Sequence, residues 1–252
     1  MADAATKQLS LVIPAYNESD LIEGTLEAVA EFLKARDLDA EVLLVDDGSS
    51  DGTADLSAQV MSRLGMPGRV IAVKPNAGKA NAVRTGILAA TGDLILFSDA
   101  DLSTPLEEFD KLKQAIAGGA DIAIASRAVP GAKLEPPQPW LREHLGRFFA
   151  SVRRTIVLPR LADTQCGFKL FKGEVARKIF PMQTMTSWAF DAEVLFIADR
   201  LGYRIVEIPV LWHNRRESKV RVLRDAWKVF RDLVTVRFRH RKLGKVSGPQ
   251  AG

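Results

Sequence analysis

Short apolar runs alternate with amphipathic segments through the first half of the chain. Apolar runs of about five residues bounded by polar clusters predict strands, whereas apolar residues spaced three and four apart predict helices. The predicted strands are residues 9–13, 41–45, 69–73, 93–97 and 121–125, and the predicted helices are residues 20–36, 53–64, 78–90 and 105–117. Repeated strand–helix units with apolar strands predict an α/β fold, in which a mostly parallel, Rossmann-type sheet carries helices on both faces.

Polar side chains collect where each of these predicted strands ends. The five clusters are residues 14–18, 46–49, 74–76, 98–101 and 126–127. In a parallel sheet the carboxyl ends of the strands share one edge, and open α/β folds bind their ligands there. The pattern therefore predicts a ligand site at this edge before any motif is considered.

The second half has a less regular pattern. It predicts a Pro-rich loop at 130–139, an amphipathic helix at 140–157, a strand or turn at 163–171, a helix at 191–201, a strand at 204–210 and a long basic helix at 220–238. Residues 140–157 and 220–238 both set apolar and aromatic side chains against Lys and Arg. That pattern is typical of helices that lie at a membrane interface, although ordinary packing helices share it.

Composition narrows the class of protein. Of the 252 residues 47% are hydrophobic, which excludes a disordered chain, and a single cysteine excludes a disulfide framework. The net charge of +4 divides unevenly, because 12 Lys and Arg against 3 Asp and Glu in residues 213–252 give +9 there and leave −5 elsewhere. The basic end indicates an anionic ligand or surface near the C-terminus. No apolar segment follows a basic start in residues 1–8, so we expect no signal peptide and a cytoplasmic location.

Two carboxylates follow the fourth predicted strand in the sequence Asp99-Ala100-Asp101. Mg²⁺ usually takes one or two carboxylates together with substrate phosphate oxygens, so this pair suits a divalent cation. The alternative is that Asp101 only caps the helix that is predicted to start near Pro105.

Asp46 and Asp47 end the second predicted strand, where they are expected to accept hydrogen bonds from a nucleobase or ribose. The segment that begins at Asp47 is not a calcium loop, because its twelfth position is Ala58 instead of the glutamate that such loops need. We expect Asp51 to be the N-cap of the next helix. Lys79 follows a glycine but lacks the rest of a Walker A motif, and its place near a helix N-terminus suits a diphosphate.

Four segments of the first half together resemble the nucleotide-sugar-binding half of family 2 glycosyltransferases with the GT-A fold. They are residues 9–18 (LSLVIPAYNE), 45–53 (VDDGSSDGT), 76–81 and 98–102 (SDADL). In the second half, residues 163–171 (DTQCGFKLF), 190–193 (FDAE) and 218–219 resemble the polyprenyl-phosphate glycosyltransferases, in particular those that glucosylate dolichyl phosphate. The resemblance extends from about residue 9 to residue 238.

The resemblance implies a role for each matching residue. Pro14, Ala15, Tyr16 and Glu18 would border the uridine or guanosine, with Asp46 at the base. Asp47, Lys79, Asp99 and Ala100 would lie along the nucleotide sugar, and Asp101 would be the main ligand of Mg²⁺ or Mn²⁺. Ser126, Arg127, Arg147, Gln165 and Lys169 would face the sugar or the acceptor phosphate, and Ser218 and Lys219 would close over the diphosphate. The catalytic candidates are Asp191, Arg127 and Lys219.

The resemblance also divides one continuous domain into three parts. Residues 1–127 would bind the nucleotide sugar, 128–212 would bind the acceptor, and 213–252 would form a basic loop over the diphosphate, an amphipathic helix and a flexible tail. Family members typically carry an N-terminal transmembrane anchor, whereas the first strand is predicted here from residue 9. We therefore expect peripheral contact with the cytoplasmic face of an anionic membrane, through residues 140–157 and 220–238.

The implied reaction is an inverting transfer of glucose from UDP-glucose to a polyprenyl phosphate. GDP-mannose is an alternative donor, and a saccharide hydroxyl is an alternative acceptor that would need Asp191 as general base, unless Asp191 only caps its helix. A non-enzymatic alternative is a nucleotide-binding module whose basic tail binds nucleic acid. It is disfavoured, and we expect no nucleic-acid partner, because Trp227, Phe230 and Leu233 give that tail an apolar face.

Overall fold

The computed structural model describes residues 7–135, 158–213 and 222–244. The described strands are β1 (Leu9–Ala15), β2 (Ala40–Asp46), β3 (Gly68–Ala72), β4 (Leu94–Ser98), β5 (Ile122–Ser126), β6 (Lys133–Glu135), β7 (Phe168–Lys172), β8 (Ile205–Pro209) and β9 (Leu211–His213). The described helices are α1 (Ile22–Ala35), α2 (Thr53–Arg63), α3 (Lys79–Ala89), α4 (Phe109–Ala117), α5 (Gly173–Ile179), α6 (Phe190–Arg200) and α7 (Val222–Arg239). The predicted helix at 140–157 lies outside the described residues.

The chain forms two compact units, and both are discontinuous in sequence. The first unit contains the chain up to Leu102 together with Gly167–Pro181, and the second contains Ser103–Cys166 and the chain from Met182 onward. We expected one continuous domain divided near residues 127 and 212. The pairing of β7 with β4 returns residues 167–181 to the first unit, and the division by function stays a prediction.

In the first unit neighbouring strands follow the order β3-β2-β1-β4-β7. The pairings among β1 to β4 are parallel, whereas β7 runs antiparallel to β4 with Leu94 opposite Lys172. Every residue of β1 and β2 is buried, as expected for apolar strands that are covered on both faces. Helix α3 packs on β1 and β2, and α1 buries the predicted apolar stripe that includes Ile22, Leu26 and Val29. The mostly parallel α/β architecture predicted from the strand–helix pattern is confirmed.

In the second unit β5 pairs with β8 and β6 pairs with β9, both in parallel. Helix α4 packs on β5, and α6 packs on both β8 and α7. Strand β6 lies within the predicted loop at 130–139, so that prediction is wrong for Lys133–Glu135. The sequence pattern could not indicate this strand, because it consists of three exposed or half-exposed residues that are held by β9.

Two further elements, α5 and β9, were not predicted. The seven residues of α5 fill a segment between β7 and a 3-10 turn at Phe180–Met182. They are too few to display the spacing of an amphipathic helix over several turns. Among the residues described, every helix is too short or too polar to cross a bilayer.

Glu41, in β2, joins two strands of the first unit at the end opposite to the predicted ligand edge. Its side chain is almost fully buried and its Oε1 accepts hydrogen bonds from Ser10 Oγ, Thr91 N and Thr91 Oγ1, each at 2.7 Å. Burial alone would raise the pKa of Glu41, but these hydrogen bonds and the Arg69 guanidinium together hold the pKa below its usual value. The charged carboxylate therefore stabilises the folded state.

We expect Glu41→Gln to lower the free energy of unfolding at neutral pH by about 1–3 kcal/mol, because it removes a charged, buried acceptor. A lowered native pKa contributes stability above the unfolded-state pKa, and that stability disappears as the pH falls through the native value. The difference between wild type and variant should accordingly narrow in acid. Urea unfolding at a series of pH values measures it.

The control for this prediction is Asp39→Asn, which removes an exposed ion pair of 2.6 Å with Lys7. Exposed pairs of this kind contribute less than about 1 kcal/mol, so the control should change stability little. An equal loss in the two variants, or a loss in Glu41→Gln that does not depend on pH, would contradict the role assigned to Glu41.

Candidate active site

The carboxyl ends of β1, β2, β3 and β4 lie at one edge of the first unit, because these strands pair in parallel. Four of the five predicted polar clusters therefore meet there, as the pattern predicted. The fifth cluster, Ser126 and Arg127, ends β5 and belongs to the second unit.

The four residues expected to border a nucleoside lie at the end of β1 and in the loop that follows it. Pro14 and Ala15 are buried as the last residues of the strand, whereas Tyr16 is 50% exposed and Glu18 is partly exposed. The backbone N–H of Glu18 donates to Thr53 Oγ1 at 2.9 Å, which ties this loop to the start of α2. Tyr16 is therefore the residue of this loop that presents an aromatic surface to solvent.

Asp51 cross-links the same two loops. Its Oδ2 accepts the N–H of Ser19 at 3.0 Å, and its Oδ1 accepts the N–H and Oγ1 of Thr53 at 3.0 and 2.6 Å. These hydrogen bonds, the Thr53 hydroxyl foremost, hold the pKa of Asp51 well below its usual range. The predicted N-cap is displaced by one residue, because Gly52 occupies the cap position of α2.

Asp46 and Asp47 are both buried but use their carboxylates differently. Asp46 Oδ2 accepts the N–H of Ser49 at 3.1 Å, whereas Oδ1 receives no hydrogen bond from any residue that the structure describes. Asp47 accepts the N–H of Ala77 on Oδ1 at 2.9 Å and that of Gly78 on Oδ2 at 2.7 Å. Asp46 thus keeps an acceptor for a ligand, whereas each oxygen of Asp47 already accepts a backbone N–H.

Asp47 instead fixes the loop that leads into α3. Gly78 adopts φ +90°, a conformation that strongly favours glycine, and the helix begins at Lys79 immediately afterwards. Lys79 Nζ lies 2.6 Å from Asp99 Oδ1, and both side chains are about one-third exposed, at 31%. The predicted diphosphate-binding lysine and the first acid of the carboxylate pair therefore form an ion pair.

Asp99 packs directly against Gly167, in the first unit. Its backbone N–H donates to the Gly167 carbonyl at 2.9 Å. A Cβ atom added to Gly167 would lie 2.0 Å from Asp99 Oδ2, far inside van der Waals contact. Only glycine at position 167 admits the carboxylate of Asp99 in this place.

The turn after β4 separates the two acids. The Ala100 carbonyl accepts Thr25 Oγ1 at 2.6 Å, and Leu102 adopts φ +47° with its N–H on the Asp99 carbonyl at 3.2 Å. Asp101 is partly exposed. The alternative that it caps the following helix is wrong, because the cap position before the 3-10 turn at Leu106–Glu108 is Pro105.

The donor set at this edge fits a hard divalent cation that also binds a substrate. Asp99 and Asp101 supply carboxylate oxygens, the ligands that Mg²⁺ and Mn²⁺ prefer. Among the described residues no group of three or more His, Cys, Asp and Glu side chains could form a complete metal site. A cation that is held by one or two carboxylates usually takes phosphate oxygens and water as its other ligands.

Lys169 and Phe97 bring a second cation close to the end of β4. Lys169 lies on β7 opposite Phe97 and is 2% exposed. Its Nζ lies 5.4 Å from the centroid of the Phe97 ring, and Lys79 Nζ lies 5.5 Å from the same centroid. Phe97 was predicted as a strand residue alone, and its contact with both lysines is decided by the pairing of β4 with β7.

In the second unit Arg127 is held by Asp163. Arg127 Nε and Nη2 donate to Asp163 Oδ2 and Oδ1 at 2.7 and 3.1 Å. The Ser126 side chain is buried, whereas Gln165 is exposed and its backbone N–H donates to Asp163. Sequence spacing gave no indication of the Arg127–Asp163 pair, since 35 residues separate the partners along the chain.

Asp191 is a buried residue inside the first turn of α6, which begins at Phe190. Its alternative reading as the N-cap is wrong, because Ala189 occupies that position. The neighbouring Glu193 is fully buried and accepts Thr184 N, Thr184 Oγ1, Met185 N and His240 Nε2 at 2.6–2.9 Å. Glu193 is therefore committed to holding these residues together. Arg147, Ser218 and Lys219 lie outside the described residues.

The chain is similar to known glycosyltransferases over most of its length. Residues 10–180 match the family model described as Glycosyl transferase family 2. The dolichyl-phosphate beta-glucosyltransferase of Dictyostelium discoideum is 32% identical over 243 residues, which cover 92% of this chain and 74% of the relative. The enzyme of the same name from Saccharomyces cerevisiae is 35% identical over 246 residues, covering 91% and 74%.

A solved structure has the same fold. It is glucosyl-3-phosphoglycerate synthase from Mycobacterium tuberculosis in complex with Mn²⁺, UDP-glucose and glycerol 3-phosphate. The TM-score is 0.62 at 18% sequence identity, over 96% of this chain and 82% of that one. At this identity the likeness establishes the GT-A-like fold.

We expect Gly167→Ala to lower the free energy of unfolding by about 1–3 kcal/mol, because the new methyl group displaces the Asp99 carboxylate. Asp99→Ala in the same chain removes the group that clashes. The double variant should therefore lose clearly less stability than the sum of the two single losses. Urea unfolding of the four proteins measures this coupling.

Gly24→Ala is the matched control, since nothing lies within 4 Å of a Cβ added at this helical position. It should raise stability by about 0.5–1 kcal/mol. Strict additivity of Gly167→Ala and Asp99→Ala would contradict the contact between the two residues.

Proposed function

The chain belongs to glycosyl transferase family 2, and we propose that this glycosyltransferase moves glucose from UDP-glucose to a polyprenyl phosphate with inversion. The observation that carries the chemistry is the group at the end of β4, where Asp99 forms an ion pair with Lys79 and Asp101 follows two residues later. The choice of sugar and acceptor is supported by relatives named dolichyl-phosphate beta-glucosyltransferase, to which both units of the chain are similar.

The first unit binds the nucleotide in this proposal. Asp46 Oδ1 accepts an N–H of the uracil ring, since it receives no hydrogen bond from any described residue. Pro14, Ala15, Tyr16 and Glu18 border the nucleoside, with Tyr16 offering its exposed ring. Asp47 contributes indirectly, because its carboxylate fixes the loop before Lys79.

Asp101, with Asp99, holds a divalent cation, either Mg²⁺ or Mn²⁺. The cation supplies electrostatic stabilisation for the charge that develops on the leaving diphosphate. Lys79 lies at the first turn of α3, where the helix dipole also favours an anion. Release of Lys79 from Asp99 makes its ammonium group a donor to the diphosphate. The prediction that Ser218 and Lys219 bind a diphosphate concerns residues outside the described part of the chain.

The acceptor phosphate is assigned to Ser126, Arg127 and Gln165 of the second unit, and to Arg147. A phosphate monoester has a second pKa near 6 and is largely dianionic at neutral pH, so its oxygen attacks the anomeric carbon without a general base. The phosphate needs cations that position it, and in the second unit we assign this role to Arg127. Asp191 would act as general base only if the acceptor were a saccharide hydroxyl.

The acceptor lipid implies contact with a membrane, and we assign this contact to α7. Phe230 and Phe238 are 39% and 60% exposed on this helix, and Arg231, Arg237 and Arg239 are exposed around them. Exposed aromatic residues among arginines suit an anionic lipid surface. We propose peripheral binding at the cytoplasmic face.

Purified protein should transfer labelled glucose from UDP-glucose into the lipid phase when polyprenyl phosphate is present, and EDTA should stop the transfer. Asp101→Asn should lower the rate at least about a hundredfold, as expected when charge stabilisation in the transition state is lost. The assay compares UDP-glucose with GDP-mannose, and polyprenyl phosphate with a soluble saccharide.

Asp93→Asn is the matched control, because Asp93 precedes β4 at the opposite end of the strand and is exposed. It should retain full activity. Absence of label in the lipid phase with every donor would overturn the proposed acceptor, and full activity of Asp101→Asn would overturn the cation site. Label in the saccharide alone would favour the hydroxyl acceptor with Asp191 as base.

The protein should float with anionic liposomes, and Phe230→Ser with Phe238→Ser should lower the bound fraction because each removes exposed apolar area. Added salt should release part of the wild-type protein, since ions screen the arginine contribution. Leu88→Ser, which removes a 40% exposed apolar residue from α3, is the control. Equal loss of binding in the control, or no binding by the wild type, would contradict the assignment to α7.

A further inference from the structure

Asp163 accepts three hydrogen bonds from Arg127 and one from Gln165. Asp163 Oδ2 accepts the backbone N–H of Arg127 at 3.1 Å and its Nε–H at 2.7 Å. Asp163 Oδ1 accepts Arg127 Nη2–H at 3.1 Å and the backbone N–H of Gln165 at 3.0 Å. A carboxylate offers about four lone pairs, so these four hydrogen bonds commit Asp163 to this contact.

The contact is between two charged groups. Burial alone would raise the pKa of Asp163, but the charge and the hydrogen bonds of Arg127 outweigh burial and hold the pKa well below its usual range. Asp163 is 5% exposed, and Arg127 retains 27% exposure of its side chain. The carboxylate is therefore sealed from ligands, while the guanidinium remains accessible.

Asp163 is itself fixed by the sheet of the second unit. Its backbone N–H donates to Glu207 Oε1 at 2.8 Å, and the N–H of Ala162 donates to Glu207 Oε2 at 2.7 Å. Glu207 lies in β8 opposite Ile124 of β5, the strand that ends immediately before Arg127. Both partners of the ion pair are thus anchored to the same pair of strands.

A third contact holds the guanidinium plane. Arg127 Cζ lies 5.3 Å from the centroid of the Trp212 ring, a cation–π distance. Arginine has five N–H donors in a rigid plane, and Asp163 takes those of the Nε and Nη2 edge. Asp163 and Trp212 therefore set the plane of the guanidinium.

We infer that Asp163 and Trp212 are positioning residues, which orient Arg127 so that its outer edge binds the phosphate of the acceptor. This inference rests on the proposed function for the identity of the acceptor. A phosphate binds arginine best through two parallel N–H···O hydrogen bonds, which require a fixed plane. The negative charge of Asp163 offsets the positive charge of Arg127. The orientation of Arg127, rather than its net charge, therefore supplies its affinity for the phosphate.

The test measures phosphate binding apart from transfer. Farnesyl phosphate, a short soluble analogue, is titrated into wild type, Asp163→Asn and Trp212→Leu, and its Kd is followed through the Arg127 Nε–H signal by NMR. Asp163→Asn should raise this Kd and the KM for polyprenyl phosphate at least about tenfold, as expected when a charged group loses its hydrogen-bonded orientation. The KM for the nucleotide sugar should stay unchanged, a separation that general destabilisation would not produce.

Asp121→Asn is the matched control. Asp121 Oδ2 accepts the N–H of Arg204 at 2.9 Å at the start of β5, the opposite end of the strand from Arg127. This variant should leave both KM values and the Kd unchanged. If Asp163→Asn does not fold, Trp212→Leu provides the same test, with an expected rise of about threefold from loss of the cation–π contact.

The outcomes distinguish this inference from the proposed function. Unchanged Kd and KM in the folded variants, with transfer intact in the wild type, would overturn the positioning role alone. A raised Kd for farnesyl phosphate, in a protein that transfers sugar from no donor, would support the positioning role and overturn the proposed function.

Discussion

The antiparallel pairing of β7 with β4 is the constraint on which the candidate donor site depends. It places Gly167 against Asp99, and it sets Lys169 opposite Phe97 in the same pair of strands. At the other end of the pair the N–H of Gly173 donates to the Asp93 carbonyl at 2.6 Å, which fixes the register. Because β7 returns from a distant part of the chain, the position of the Asp99 carboxylate depends on Gly167, which lies 68 residues further along the sequence.

Most buried carboxylates near the candidate sites hold protein groups rather than ligands. Asp47 fixes the loop before α3, Asp163 orients Arg127, and Glu193 holds the segment before α6. A buried carboxylate is stable only when its oxygens are paired, so each of these groups is committed to its neighbours. Asp46 differs, because one of its oxygens is without a partner among the described residues. Because of that difference, rather than residue type, we assign a ligand contact to Asp46 and a supporting role to the other three carboxylates.

In the second unit, α6 and the segment before it hold the helix that we assign to the membrane. Glu193 of α6 accepts a hydrogen bond from His240, immediately after α7, and Ser187 donates to Asp232 of α7 at 2.7 Å. These contacts fix the buried face of α7, so that Phe238 and the arginines remain on the exposed face. Because these contacts hold the inner face of α7 in place, its exposed apolar side chains stay on the surface.

The sequence by itself determined the α/β class, the strands of the first half to within two residues, and the edge where the polar clusters meet. It did so because apolar periodicity and the ends of parallel strands are local properties. Gly167, Asp163 and Phe97 could not be assigned in this way, since each acts through a partner that is distant in sequence. The same holds for Asp47, whose residue type suggested a ligand contact. Only the tertiary structure decided which carboxylates are already paired, because pairing depends on the strand order and register that bring distant segments together.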